Sequence, residues 1–543
     1  MRFLWLLPPL AVGAVLRLWG LSRQILVGDE VHGLVSAVNL TVAEILTTYR
    51  LADHCIPLSV YYRLLMDSGV RLSETLIRAP AVLSGLAALA IFPLAVARWR
   101  EIDGGWRRAA VMAWLLAVSP ILVYYSRFAR PYAEVVLLAT LAAAAFWQWW
   151  RGDGHGWAVL YVAAGAASAW FFLGSAPFVA APLLWAVAEL AWRRIGRRGK
   201  GQGRGFLALA AVAAGIAAGI AGFLLAALPS FLRLVRRKAG GGSVEPGDLA
   251  DLARLQAGTG WLALAVLFWG LAALGLAALL RRRPALGSFT LLLVIAQGTG
   301  IVLVLRPAGI GASAALGRYL LVCLPIVLLW VSEGVFELAE RLGKRSRMAE
   351  RGFLLACIGA LALGSPFAAD PALRLGPFAG AWHGLAIFED PPTLPAAAVP
   401  AVYRQIAAEP GAEPVIEAIL ERTAIHGLRP TIALARHHRR PVILVSDDPW
   451  RSDPRLAFQT LVPADPRAIA GSGGRFVILQ LDRPRLLRLQ HAVERGEPMP
   501  GATSPDRQAV VLARELADEL TRAWGEPHLT SGDVLLWDLA RIR

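Results

Sequence analysis

Eleven apolar runs, most of them near the length that crosses a bilayer, occupy the first two thirds of this chain at about 3–20, 79–98, 109–125, 131–150, 157–173, 176–192, 206–228, 259–280, 285–305, 318–338 and 352–366. About 20 apolar residues cover the hydrocarbon core as a helix, and a helix satisfies every backbone hydrogen bond within the segment where no water is at hand. A soluble core could absorb many of the apolar residues of a 543-residue chain that is 56% hydrophobic, but it has no need of such repeated runs. The expected fold is a mostly α polytopic membrane protein with about 11 transmembrane helices. Many runs are rich in Ala and Gly, which lets helices approach closely in lipid.

Orientation follows from the linkers. Arg98, Arg100, Arg107 and Arg108 separate the second and third runs. Arg193, Arg194, Arg197, Arg198, Lys200 and Arg204 follow the sixth, Arg281–Arg283 the eighth, and Arg341, Lys344, Arg345, Arg347 and Arg351 the tenth. With eleven spans all four linkers share one side, which the positive-inside rule makes cytoplasmic. One cluster falls opposite: Arg233, Arg236, Arg237 and Lys238 after the seventh run. The loop at about 21–78 and everything beyond 366 then lie outside the cytoplasm. No small-residue cleavage site follows the first run, so it reads as an uncleaved helix of a multi-pass protein, placed in a bacterial inner membrane. The net charge of +16 sits largely in these linkers, where it meets lipid headgroups, and no zinc-finger spacing or helicase motif points to nucleic acid. Three cysteines are too few for a disulfide framework.

Composition changes at about 367, where prolines, charges and short apolar stretches replace the spanning runs. Val415–Ala418, Val442–Val445, Phe476–Leu481 and Val534–Leu539 read as strands, and Arg507–Trp524 and Leu486–Glu494 as helices. The expected organisation is a transmembrane domain over 1–366 and an extracytoplasmic α/β domain over 367–543.

The chemistry-bearing residues gather in the external segments. Asp29-Glu30 stands just past the first run, where charge is costly to desolvate and a carboxylate can take a proton from a hydroxyl or amine. The plain alternative is a pair of solvated loop acids. Asp53-His54 follows in the same loop, and with Asp29 these side chains are candidates for a divalent metal ion; a lone loop histidine is the competing reading. The next external turn reads Tyr124-Tyr125-Ser126-Arg127-Phe128-Ala129-Arg130-Pro131-Tyr132-Ala133-Glu134, and the tenth run opens with Gly317-Arg318-Tyr319. A guanidinium can fork onto two phosphate oxygens, which makes Arg318 the first candidate for an anionic group and Arg127 and Arg130 the next. Snorkelling to headgroups is the alternative for the latter two, and an interfacial aromatic is the alternative for Tyr319.

Taken together, these segments resemble the polyprenyl-phosphate-sugar-dependent glycosyltransferases of the GT-C superfamily, in the branch of the protein O-mannosyltransferases, lipid A aminoarabinose transferases and lipopolysaccharide-core galacturonosyltransferases. The resemblance covers roughly residues 1–340 in order and topology. It implies transfer of one sugar from a polyprenyl-phosphate donor to a lipid, glycan or protein acceptor on the extracytoplasmic face, with inversion at the anomeric carbon. Asp29 takes the place of the family's acidic residue that serves the acceptor or its metal, with Glu30 beside it. Arg318, Arg127, Arg130 and Tyr319 take the donor phosphate. Several relatives carry an Asp near the position of Tyr132; the nearest carboxylate here is Glu134. A non-catalytic transporter or flippase is the rival reading, for which broken helices or charges at mid-depth are the expected marks. A membrane-tethered binding protein is a third.

Overall fold

In the computed structural model the described residues are 2–23, 26, 30–50, 55–98, 105–195, 205–238, 246–258, 262–305, 312–343, 348, 352–353, 355–356, 401–409, 411, 413–418, 442–446, 453–481, 504–531 and 534–542. Among them, seven helices are long and apolar enough to cross a membrane: Glu74–Arg98, Tyr132–Trp150, Leu173–Arg193, Phe206–Leu224, Leu262–Arg282, Pro284–Leu303 and Leu321–Gly343. The protein is an integral, multi-pass membrane protein. The sequence called for about eleven spans, and the difference has local causes. The first and fifth runs fold as shorter apolar helices, Leu4–Leu18 and Gly156–Phe171. The third is interrupted at Ser119-Pro120 into Gly105–Val118 and Pro120–Tyr125. Most of the eleventh lies outside the described residues. Chain contacts divide into two units, one of residues 1–19, 40–61 and 78–374 and the other of residues 20–39, 62–77 and 375–543.

In the first unit, helices Leu262–Arg282 and Leu324–Gly343 cross where both carry glycine. A Cβ on Gly275 would run into the Trp330 carbonyl, and one on Gly334 into the Leu271 carbonyl, so only hydrogen at both positions permits the approach. The basic-linker end of these helices is tied together by side-chain ion pairs. Arg108 pairs with Glu333 and, at 3.0 Å, with Glu340; Arg282 pairs with Glu337 at 2.6 Å and Glu340 at 2.9 Å. The Arg108 guanidinium also lies 4.9 Å over the Phe336 ring. Glu333 and Glu337 are buried, and removing one partner from such a pair leaves an uncompensated charge. Tryptophans fill the middle of a neighbouring set: Trp147 packs 5.5 Å from Trp185 and 5.0 Å from Phe289, and Phe146 meets Tyr161 edge-on at 5.0 Å.

The interruption before Pro120 has a specific remedy. Proline lacks an N–H, so the Leu116 carbonyl loses its helical donor at residue 120. The fully buried Arg17, from the first helix, supplies the replacement: Nη2 donates to Leu116 O at 3.1 Å and Nη1 to Ala117 O at 3.3 Å. Its Nη1 also donates to Gly13 O at 3.0 Å and its Nε to Ser126 Oγ at 3.3 Å.

The second unit contains a six-stranded mixed sheet in the order β3-β2-β1-β4-β6-β5, with β1 Val415–Ala418, β2 Val442–Ser446, β3 Leu461–Pro463, β4 Phe476–Gln480, β5 Leu529–Ser531 and β6 Val534–Asp538. The first four run parallel, and β6 and β5 join antiparallel at the β4 edge. Both faces are covered, which is why these strands read as short continuous apolar runs. Ile416, Val445, Val477 and Trp537 face helix Ser504–Trp524 through Ala513, Leu516 and Leu520. Val415, Phe476, Ile478 and Leu536 face helix Ala401–Ala408 through Val402 and Ile406. The four strands and the 507–524 helix expected from the sequence are present with ends shifted by up to three residues; 486–494 lies outside the described residues. Two strands of three residues each, β3 and β5, are too short to carry an alternation and escaped the sequence reading.

At the end of β6, buried Asp538 receives a two-pronged Arg475 guanidinium, Nε to Oδ1 and Nη2 to Oδ2 both at 3.1 Å, and the Ala540 N–H at 3.1 Å. Burial alone raises the carboxyl pKa, but the Arg475 and Ala540 hydrogen bonds outweigh it and hold the group below its ordinary value. A depressed folded-state pKa contributes stability that is complete above the unfolded value of about 3.9 and is lost as pH falls through the folded one. Asp538→Asn is therefore expected to lower the opening free energy of β4 and β6 at pH 7, with the gap from wild type closing below about pH 4. Hydrogen exchange of these strands, corrected for intrinsic rates, measures it; a gap independent of pH counts against the role.

Candidate functional site

The turn between helices Pro120–Tyr125 and Tyr132–Trp150 is built from the Tyr-Ser-Arg motif and is buried throughout. Arg127 is fully buried, with Nη1 donating to the Leu16 carbonyl at 2.9 Å, while Arg17 reaches back to Ser126. The two arginines cross-connect the end of the first helix and the turn. Ser126 Oγ donates to Leu122 O at 2.6 Å and accepts from Arg17, so the hydroxyl is used in both senses. Arg130 is 5% exposed and Glu134 is 3% exposed, within one helical turn of each other in sequence. Neither carboxylate oxygen of Glu134 has a hydrogen-bond partner among the described residues.

Rings connect this turn to the Arg318-Tyr319 segment. Tyr125 meets Tyr132 at 4.9 Å, Tyr132 meets Phe172 at 6.2 Å, and Phe172 stacks on Tyr319 at 5.1 Å. The Arg318 guanidinium lies 5.6 Å over the Tyr319 ring and is half-buried. Tyr124 and Phe128 extend the array, 5.1 Å apart. The Tyr319 backbone is held as well: the buried Gln297 amide donates to Tyr319 O at 3.0 Å and Gly174 O at 2.9 Å, and accepts from Phe178 N at 3.1 Å. A small cavity of about 20 Å³ is lined by Arg17, Gly85, Tyr125, Ser126, Ala133 and Leu321. These ring contacts thus join Tyr319 to the chain segment that carries Arg127, Arg130 and Glu134, up to 192 residues earlier in the sequence.

Glu30 lies in the second unit, fully buried, immediately before helix Val31–Asn39, where a carboxylate is favoured by the helix N-terminal dipole. Asp29, Asp53 and His54 lie outside the described residues. Among the described residues no three His, Cys, Asp or Glu side chains converge as metal ligands, and Glu134 offers a single carboxylate.

Three contributors escaped the sequence reading. Arg17 had a signal, since an arginine inside an apolar run demands a partner in lipid. Gln297 had a weaker one, a polar amide in a spanning helix. Phe172 had none. The long loop after the seventh run carries two helices, Leu228–Lys238 and Pro246–Ala257. Phe231 and Leu234 of the first pack on Tyr49 and Ile56, and Gln256 of the second donates to Gly317 O at 3.4 Å, next to Arg318.

No protein-family model and no curated protein matches this chain. It is structurally similar over most of its length, at low identity, to solved membrane enzymes. ArnT from Cupriavidus metallidurans in the apo state is 16% identical with a TM-score of 0.44, covering 88% of this chain and 92% of that one. The same protein bound to undecaprenyl phosphate is 16% identical with a TM-score of 0.46, covering 88% and 94%. The arabinofuranosyltransferase AftD from Mycobacteria is 14% identical with a TM-score of 0.45, covering 93% of this chain and 38% of its own. At such identities and scores, no residue role or substrate transfers from them.

Proposed function

We propose that this protein is a GT-C-type membrane glycosyltransferase that moves a sugar from a polyprenyl-phosphate donor to a lipid, glycan or protein acceptor outside the cytoplasm. The observation that supports the reading is the chain of rings, Tyr125, Tyr132, Phe172 and Tyr319, that joins the Arg318-Tyr319 segment to the buried turn bearing Arg127 and Arg130. In a single displacement the acceptor oxygen or nitrogen forms a bond to the anomeric carbon as the bond from that carbon to the phosphate oxygen breaks. The acceptor proton passes to Asp29, with Glu30 orienting it, and the released polyprenyl phosphate keeps the electron pair. Arg318, with Arg130 and Arg127 as neighbouring cations and Tyr319 beneath it, offsets the charge gathering on that phosphate.

A second reading has its own support. Arg17 is buried inside the bundle and the third helix is broken at Pro120, two marks expected of a transporter or flippase. In this structure the two explain each other, because Arg17 satisfies carbonyls that the break exposes.

The test is purified protein in liposomes with radiolabelled polyprenyl-phosphate sugars. Transfer releases polyprenyl phosphate and labels an acceptor; movement of an intact donor across the bilayer establishes the flippase instead. Within the same assay Arg318→Ala is expected to lower donor turnover on the order of a hundredfold, and Arg318→Lys less, since the charge stays while the fork is lost. Equal donor affinity for Arg, Lys and Ala at 318 would move the phosphate to the Arg127–Arg130 turn.

A further inference from the structure

The second unit contains a link that the proposed reaction does not use. Helix Val31–Asn39 directly follows the acidic pair in sequence, and the carbonyls of its last turn accept from side chains. Two arginines take them: Arg63 Nη1 donates to Ala37 O at 3.4 Å, and Arg455 Nη2 donates to Val38 O at 3.2 Å. A cation at a helix C-terminus also opposes the negative end of its dipole. Arg455 is itself aimed by Asp453, with Nε to Oδ1 at 2.9 Å and Nη2 to Oδ2 at 2.7 Å. Some 417 residues of chain separate Arg455 from Val38, so the contact is a tertiary choice.

The stretch carrying Arg455 is bound to the other end of the same external loop. Leu72 N donates to Arg455 O and Ala457 N to Leu72 O, both at 2.8 Å, while Arg71 donates to Pro454 O at 3.0 Å and Leu456 O at 3.1 Å. Glu74, 1% exposed, accepts at one oxygen from Gln459 N at 2.6 Å, Thr460 N at 2.7 Å and Thr460 Oγ1 at 3.0 Å. Thr460 then leads without a linker into β3 of the sheet. A carboxylate held by two adjacent backbone N–H groups and a hydroxyl is a charge-assisted anchor, among the stronger single attachments available to a loop.

We propose that Arg455 and Glu74 are positioning residues, through which the C-terminal sheet domain holds helix Val31–Asn39, with Glu30 at its start and Asp29 next in sequence, in place for the acceptor. This rests on the assignment of Asp29 and Glu30 to acceptor chemistry. The domain's contribution is therefore geometric: it braces the helix that directly follows the acidic pair in sequence. Base catalysis tolerates little displacement, because proton transfer needs heavy atoms within hydrogen-bond reach.

The experiment uses the full-length chain with Arg455→Met, Arg455→Lys and Thr460→Val. In Arg455→Met, amide exchange across residues 35–39 is expected to rise about ten- to hundredfold, the consequence of losing a charge-assisted hydrogen bond, with the spanning helices unchanged. Turnover falls while donor KM stays constant, since the phosphate side is undisturbed, and Arg455→Lys restores part of both quantities. Thr460→Val removes one of the three donors to Glu74 and carries the test should Arg455→Met fail to fold; exchange at 71–74 rises and turnover falls with it. Unchanged exchange across 31–39 in the position-455 variants overturns the brace. Raised exchange with full turnover overturns its bearing on the reaction. Wild-type activity of Asp29→Asn would instead remove the acceptor assignment, and the exchange result would stand apart from it.

Discussion

Asp29→Asn is expected to lower sugar transfer on the order of a hundred- to ten-thousandfold, the range that positioned general bases supply. The substitution keeps the shape of the side chain and removes its charge, so in the proposed displacement the acceptor hydroxyl or amine loses its proton acceptor. Donor binding should hold, because the phosphate is assigned to Arg318 and the Arg127–Arg130 turn. Size-exclusion behaviour and thermal midpoint in detergent should match wild type, which separates lost chemistry from lost folding. Glu30→Gln should cost less in turnover and more in stability, since Glu30 is fully buried at a helix start, where its charge meets the N-terminal dipole. Full turnover by purified Asp29→Asn would end the assignment, whatever the outcome at 318.

Gly275→Leu is expected to abolish recovery of folded protein, and Gly275→Ala to destabilise it by about 1–3 kcal/mol. The physical cause is contact between backbones. A single Cβ at 275 meets the Trp330 carbonyl and the Gly334 amide, groups that belong to a neighbouring helix and cannot swing aside as a side chain tip would. Forcing the two helices apart would also strain the ion pairs of Arg282 with Glu337 and Glu340. Gly270 is the control, because a Cβ added there, on the same helix, would meet no described atom within 4 Å. Gly270→Ala should hold or raise the midpoint through better helix propensity. Equal thermal midpoints for Gly270→Ala and Gly275→Ala would show that the crossing is not the constraint.

The apolar periodicity of the chain was enough to announce a multi-pass bundle and, beyond 367, a small sheet domain with four of its strands. Hydrophobic length and alternation are local properties, imposed by lipid and by two-sided burial, so they are written where they act. Asp29, Arg127, Arg318 and Tyr319 drew notice for the same reason: charge or an aromatic beside an apolar run is visible against its background. The broken third helix was half visible, since Pro120 stood within the run, but the helix that would satisfy its carbonyls was not. Arg17 and Leu116 are 99 residues apart, and a hydrogen bond across that distance leaves no mark on either neighbourhood.

The tertiary structure alone decided which of these residues belong together. Phe172 and Gln297, unremarkable in their own sequence neighbourhoods, hold Tyr319 and join it through Tyr132 to the Tyr-Ser-Arg turn. Helix Val31–Asn39 and the segment at Leu72–Glu74, close in sequence to spanning helices, are instead fastened through Arg455 and Glu74 to a domain that begins some 300 residues later. Sequence patterns record each segment's preference for lipid, water or a pleated core, because that preference is a property of the segment. Which polar groups meet depends on helix crossings set by glycine pairs and on carbonyls left open by a break, and those are properties of two segments at once.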